Sequence, residues 1–571
     1  MTGPGATRGR ARQAGALALV LALAVGACGG STDDAGGGDD GPEVTEAKGG
    51  TSSELLKVPA DTGEPRRGGT LTYYLEAETT GGYCLAEAQL AGSGIQVART
   101  VYDTLAAPNA DGEYVPFLAE TIETPDGGST WVLTIRDGIT FHDGTALTAQ
   151  IVKNNLDAYR GRYPARRPLL FTFVFANVDT VEVTGEREVT VTTKTPWPSF
   201  PSYLFGSGRI GMMAQAQLDS ADECDDVLIG TGPFKVDSWT KGREMVLSRN
   251  DSYWRTDPDG NALPYLDGLT YVPIPNGPQR FNTIEAEAAA GEAVAGHFAN
   301  PAMVARVREA GDLKQLESAE LGEVAYLMLN AGAPPFDNRN ARLALAHALD
   351  RDLYLDLRTE GVVVRADGPF APGSLGYVED TGYPEYDPEL ARSYADTYEQ
   401  EAGQPLAVTI TNDTDPEIIA NGDVIQAALE DVGIQVTRRT TDQANLINTA
   451  VAGDYQAIQF RNHPGGDPDT QWIWWHSGLP TNLGRIKDPE IDRLLEQGRA
   501  ESDPAVRQDI YADLSRRFAS EAYNVWTYFA VWSIPHADNV NGVLGPRLPD
   551  GSEPSTGLAT GHPVDGIWIS E

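Results

Sequence analysis

Basic residues are scarce in this chain. Lys and Arg number 43 against 82 Asp and Glu, giving a formal charge of -39 over 571 residues. A field of that sign repels nucleic acid and anionic bilayers, so neither is an expected partner of the folded body. Cysteine is scarcer still, with three in all, and no C-x-x-C pair is present to support dithiol redox chemistry. The seven histidines are scattered. His463 and His476 do not establish a metal site, and no H-E-x-x-H or G-x-S-x-G arrangement occurs. Gly230-Thr231-Gly232 lacks the Gly-Lys-Ser/Thr continuation of a phosphate loop and reads as a structural turn. No cofactor or resident metal is therefore expected, and no internal repeat stands out.

What is present begins with an export leader. Arg8, Arg10 and Arg12 precede an apolar stretch from Ala14 to Val25, shorter than the roughly 20 residues of a spanning helix. Residues 1–27 read as a signal peptide. Val25-Gly26-Ala27-Cys28 resembles a bacterial lipobox, which implies cleavage after Ala27 and lipidation of Cys28. A plain secretory signal is the alternative. Residues 28–66, rich in Gly, Asp, Thr and Ser, carry too little apolar surface to pack and read as a flexible acidic tether. An exported chain meets oxidising conditions, so the remaining Cys84 and Cys224 can form a disulfide. Two buried free thiols are the alternative, because sequence separation does not supply bonding geometry.

Residues 131–159 organise the body. Trp131, Leu133 and Ile135 alternate as in a strand, Asp137-Gly138 and Asp143-Gly144 turn the chain, and Thr148 can cap a helix facing inward through Ile151, Val152, Leu156 and Tyr159. Further on, VDTVEVTGEREVTVTTKTP alternates as a hairpin, and FKVDSW and EMVLSR read as paired strands. EVAYLMLN reads as a strand, with a helix from Asn340 carrying His347 as a packed or edge residue. PLAVTI, NGDVIQAALEDV and IQVTRR make a βαβ unit with a right-handed crossover. DYQAIQF gives one more strand.

Taken in order, IRDGITFHDGTALTAQIV, IGTGPFKVDSWTKGREMVLSRNDSYW, PPFDNRNARLALAHALDRDLY and the Tyr386-Asp387-Pro388 helix entry resemble the family 5 extracytoplasmic solute-binding proteins. These are the ligand-capturing subunits of peptide-type ABC importers. The resemblance runs from about Arg67 through the C-terminal region. It implies an α/β fold, a two-lobed periplasmic-binding-protein-like clamp with an extra subdomain at about 105–225. The first lobe is expected over 67–321, the second over 322–525, and a return to the first over 526–571. It further implies a monomeric body, a lipid-anchored position on the extracytoplasmic face of the cell membrane, and permease subunits as partners. Solute capture without catalysis is the expected function, with ATP chemistry left to partner subunits. An oligosaccharide ligand and a carboxylate-pair glycoside hydrolase are the competing readings.

Ligands often sit beyond the carboxyl ends of such strands. TLTYYLE reads as the first strand, and the resemblance implies that its end lies near the ligand cleft, where Glu78 and Tyr83 can line it, although Tyr83 also reads as a core aromatic beside a cystine. On the other side lies RNHPGGDPDTQWIWW, with Asn462, His463, Asp467, Trp472, Trp474 and Trp475 as ligand candidates. In strand geometry Trp472 and Trp474 share a face and Trp475 points oppositely. Asp467 or Asp469 can meet a cationic ligand group. In peptide binders of the family, an aspartate three positions before the acidic-proline pair receives the peptide amine. Here that position is Pro464, which puts the usual amine recognition in doubt.

Overall fold

The computed structural model describes residues 56–79, 81–168, 170–441, 443–462 and 466–571. The signal peptide 1–27, Cys28, most of the tether, His463 and Pro464 lie outside the described residues.

Two sheets carry the body. The first has seven strands, in the order Lys314–Ser318, Trp532–His536, Val294–Gly296, Thr70–Leu75, Gly268–Pro273, Glu244–Arg249 and Phe234–Thr240. Its three middle strands run parallel. The second has six strands, in the order Val364–Arg365, Asn524–Phe529, Val324–Leu329, Ala457–Asn462, Ala407–Asp413 and Gln435–Thr441. Val324–Leu329 is buried along its whole length. Val324, Tyr326 and Met328 pack into one core and Ala325, Leu327 and Leu329 into another, as a strand covered on both faces requires. The expected βαβ unit is present: helix Pro416–Asp431 joins the parallel strands Ala407–Asp413 and Gln435–Thr441.

A separate antiparallel sheet of four strands spans 119–193 and contains the expected hairpin, Val178–Val183 against Glu188–Thr193. Its strand Thr130–Ile135 leads to helix Ala149–Tyr159, where the Thr148 hydroxyl accepts from Ile151 N at 3.3 Å. This layer shares one core cluster with the seven-stranded sheet. The Gly230 and Gly232 turn lies against the end of helix Gly92–Val101. A Cβ on Gly230 would stand 2.0 Å from Val101 O, so close backbone approach requires glycine there.

Cys84 and Cys224 are joined by a disulfide. The tether expected over 28–66 needs correcting at its end. Lys57 exchanges backbone bonds with Glu317, Thr62 N donates to Asn541 Oδ1 at 2.8 Å, and Arg66 pairs with Glu571. These partners fasten the segment to the body. The boundary expected at 526 also shifts: Asn524–Phe529 pairs along Val324–Leu329, so the chain returns to the first sheet only after Phe529. Among the described residues no helix is long and apolar enough to cross a membrane.

Candidate functional site

The chain crosses between the sheets twice, at 319–323 and at 530–531. The two crossings touch: Ala530 N donates to Glu323 O at 2.8 Å. Gly322 is wedged among them, since a Cβ there would meet Ala530 O at 2.7 Å and Ala319 O at 2.8 Å. Leu321 beside it holds φ 50°, the left-handed region.

Charged side chains converge beside this hinge, from the carboxyl ends of parallel strands in both sheets. Glu76 follows Thr70–Leu75 and His297 follows Val294–Gly296, while Arg280 lies in the first turns of helix Gly277–Ala289. From the other sheet, Arg461 ends strand Ala457–Asn462, Glu323 precedes Val324, and Asp415 caps helix Pro416–Asp431. Arg280 meets Glu76 at 3.4 Å and Arg461 meets Glu323 at 3.5 Å. The Glu323 charge, the largest influence, holds the Arg461 guanidinium above its ordinary pKa. Glu76 from the first lobe acts in the same direction, as does Asp415. Burial pulls Arg280 down, against the charges of Glu76 and Asp415.

The Arg461 side chain nevertheless keeps 37% of its surface exposed, against 4% for Glu323. A guanidinium so held presents unused donors to a solute anion. Arg280 Nε is a second donor, buried and without a partner. Burial lowers His297 to about 4, so it stays neutral near pH 7. Its Nε2 accepts from Glu76 N at 3.4 Å and lies 3.0 Å from Ser93 Oγ.

The residues singled out in the sequence divide. Tyr83 is a core aromatic, 2% exposed, against the Trp239 ring at 5.4 Å. Glu78 accepts from Trp239 Nε1 at 2.6 Å and from Gly242 N, so it fastens a hairpin. Asn462 is buried and donates to Gln471 Oε1 at 2.5 Å. Asp467 is taken by Arg507 at 2.6 and 2.8 Å and caps Asp469 N at 2.9 Å. Asp469 is fully buried. Neither aspartate is open to a ligand cation.

The tryptophans also need correcting. Trp472–Trp475 is a helical turn rather than a strand, because Asp467 as cap and Pro468 in the first turn start a helix through Gln471. Helical spacing pairs Trp472 with Trp475 and turns Trp474 away. Trp475 is 4% exposed, with its ring 4.7 Å from Phe518, and serves the second core. Trp472 and Trp474 are half-buried and pack against the cores of both lobes. Trp472 Nε1 is a buried donor without an acceptor.

Sequence reasoning missed the Glu76, Arg280, Glu323 and Arg461 cluster. The available signal was position, since Glu76 and Arg461 sit at the ends of predicted strands. Among the described residues no group of three His, Cys, Asp or Glu is placed to hold a metal ion. A recess lies elsewhere, within the first lobe, where Arg255 and Asp565 pair at 2.6 Å.

Comparison with known proteins gives concordant results. The sequence model of the bacterial extracellular solute-binding proteins, family 5, matches residues 113–483. A glutathione-binding protein GsiB from Pectobacterium atrosepticum is 26% identical over 460 residues, covering 78% of this chain and 85% of that protein. The GsiB of Escherichia coli K12 is 28% identical over 436 residues, covering 73% and 80%. Among solved structures, the periplasmic binding protein DppA from Helicobacter pylori, in complex with the peptide STSA, superposes with a TM-score of 0.76. It has 21% identity and covers 89% of this chain and 99% of that one. AgaA from A. tumefaciens, in complex with agropinic acid, gives a TM-score of 0.74 at 24% identity, covering 88% and 99%. The fold is that of two-lobed periplasmic binding proteins.

Proposed function

The chain belongs to the bacterial extracellular solute-binding proteins of family 5, and on that premise we propose that it captures a short peptide or peptide-like solute between its lobes and passes it to an ABC permease. The observation that carries the reading is the charged cluster beside the hinge, with Glu76 and Arg280 on one side and Glu323 and Arg461 on the other. Arg461 receives an anionic group of the solute, and the partly exposed carboxylate of Glu76 lies where a cationic group is met. Peptide chemistry carries both charges, which favours it over an oligosaccharide. The names of the GsiB relatives, proteins that bind the tripeptide glutathione, lend support. The protein binds and releases its solute without turnover.

Capture works through a shift between open and closed lobe arrangements, since only a solute that touches both lobes stabilises the closed one. In this reading residues 1–27 direct export, Cys28 carries the lipid that holds a monomeric body at the membrane, and the permease supplies nucleotide chemistry.

Native mass spectrometry of protein purified from its own cell extract, followed by calorimetry with the released solute and with glutathione, tests the reading. A peptidic solute that binds without being consumed is the expected result. A released sugar, or turnover of the bound compound, overturns it.

A further inference from the structure

Asp469 has no exposed surface, yet its partners come from two lobes. Its Oδ1 accepts from Arg499 Nε at 2.8 Å, within the second lobe. Its Oδ2 accepts from Trp197 Nε1 and from Ser199 Oγ, both at 2.7 Å, and both belong to the first-lobe segment that follows strand Glu188–Thr193. The Tyr203 hydroxyl, from the same segment, donates to Asp469 O at 2.7 Å and accepts from Arg499 Nη2 at 2.9 Å. The guanidinium lies 4.0 Å from the Trp472 ring centre and 5.0 Å from that of Trp197. Trp197 and Tyr203 are anchored in the first core, whereas helix Pro489–Ala500, which carries Arg499, packs Ile491, Leu494 and Leu495 into the second.

We propose that Asp469 is a closure latch: a second-lobe residue whose carboxylate grips two first-lobe donors, and whose backbone carbonyl grips a third, when the lobes meet and lets go when they part. The inference rests on the clamp reading above. Its chemical logic lies in where the counter-charge sits. Arg499 moves with Asp469, so separation of the lobes exposes an ion pair and not a lone buried charge. The groups given up, an indole N–H and two hydroxyls, are neutral and are readily taken over by water. A charged partner across the gap would make opening far more costly. Both charges therefore stay within one lobe while their partners across the interface are uncharged, which suits a contact made and broken repeatedly. Asp469 is thus a positioning residue for closure, and the cation site imagined for this loop is absent because its carboxylates are otherwise engaged.

Spin labels at Glu182→Cys and Ala500→Cys, one on each lobe, report the distance distribution of the full chain with and without the solute recovered from extract. Trp197→Phe with Ser199→Ala removes two donors to a charged acceptor. It is expected to raise the open-to-closed ratio by at least about tenfold. Tyr203→Phe, which deletes a single oxygen, is a second variant with the same readout and a smaller shift. A merely structural role would lower the thermal midpoint and leave the distance populations alone. Two wild-type populations whose ratio neither variant changes would overturn the latch and leave the clamp intact. A single distance in every sample, with or without solute, would overturn the clamp reading and the latch together.

Discussion

Arg507 grips both carboxylate oxygens of Asp467, at 2.8 and 2.6 Å, from a helix forty residues further along the chain. The pair is nearly buried, with 11% and 15% of the two side chains exposed. The Asp467 charge therefore fixes the loop from 466 to 475. Asp467→Asn is expected to cost on the order of 3 kcal/mol of stability, because it leaves the arginine without its counter-ion. Preference between charged and neutral ligands should stay as in wild type. Denaturant unfolding and calorimetry on the same samples check both halves.

Arg461 is expected to differ in its effect on binding. Its guanidinium is partly exposed while Glu323 is nearly buried, so Arg461→Met takes one counter-charge from a buried carboxylate and should lower stability as well. Binding of an anionic solute should fall at least about tenfold, while a neutral amide analogue loses much less. Equal losses for both compounds in a calorimetric titration would remove Arg461 from ligand recognition.

Gly322→Ala tests the hinge. A Cβ at that position meets two carbonyl oxygens at under 3 Å, so the crossing segments must move apart. A lowered thermal midpoint and an altered scattering profile of the solute-free protein are expected. Both would be absent if the crossings part freely.

The Cys84–Cys224 bond closes a separation of 140 residues. Chain entropy assigns a loop of that size about 5 kcal/mol as an upper value. Replacing both cysteines with serine should therefore destabilise the first lobe by several kcal/mol. Equilibrium unfolding with and without reductant is the measurement.

Stability should also fall as the medium is acidified. Burial lowers His142, His297 and His536 to about 4 and His562 to about 3. Between the ordinary value near 6.5 and these depressed values, the unfolded chain takes up protons that the native fold refuses. Stability rises with pH across that window, by about 1.4 kcal/mol per pH unit for each histidine. His562→Gln should flatten the slope of unfolding free energy between pH 6 and pH 4 by roughly one proton. An unchanged slope would show that His562 does not contribute.

Local order was legible in the sequence wherever one signal acted alone. The Thr148 cap, the hairpin from Val178 and the βαβ unit from Ala407 each obey a period and a terminator that their own residues supply. The Trp472–Trp475 turn was misread because aromatic residues favour strands, while the deciding cap, Asp467 before Pro468, lay several residues upstream. The charged cluster was invisible for a different reason. Glu76, Arg280, Glu323 and Arg461 are spread over 385 positions, and only the meeting of two sheets brings them together. The same holds for Asp469, which reads in the sequence as a partner for a ligand cation until Trp197 and Ser199 arrive from the other lobe.

The strand Trp532–His536 lies inside the first sheet, between Lys314–Ser318 and Val294–Gly296. A chain made amino end first therefore finishes its second lobe while the first still has a gap one strand in from its edge. The second lobe runs without interruption from Val324 to Phe529, whereas the first awaits the late strand that fills its interior. A stop codon just before Trp532 would damage the lobe built mostly from early residues and spare the one made later. The early lobe would then be the one that needs a chaperone's cover during secretion.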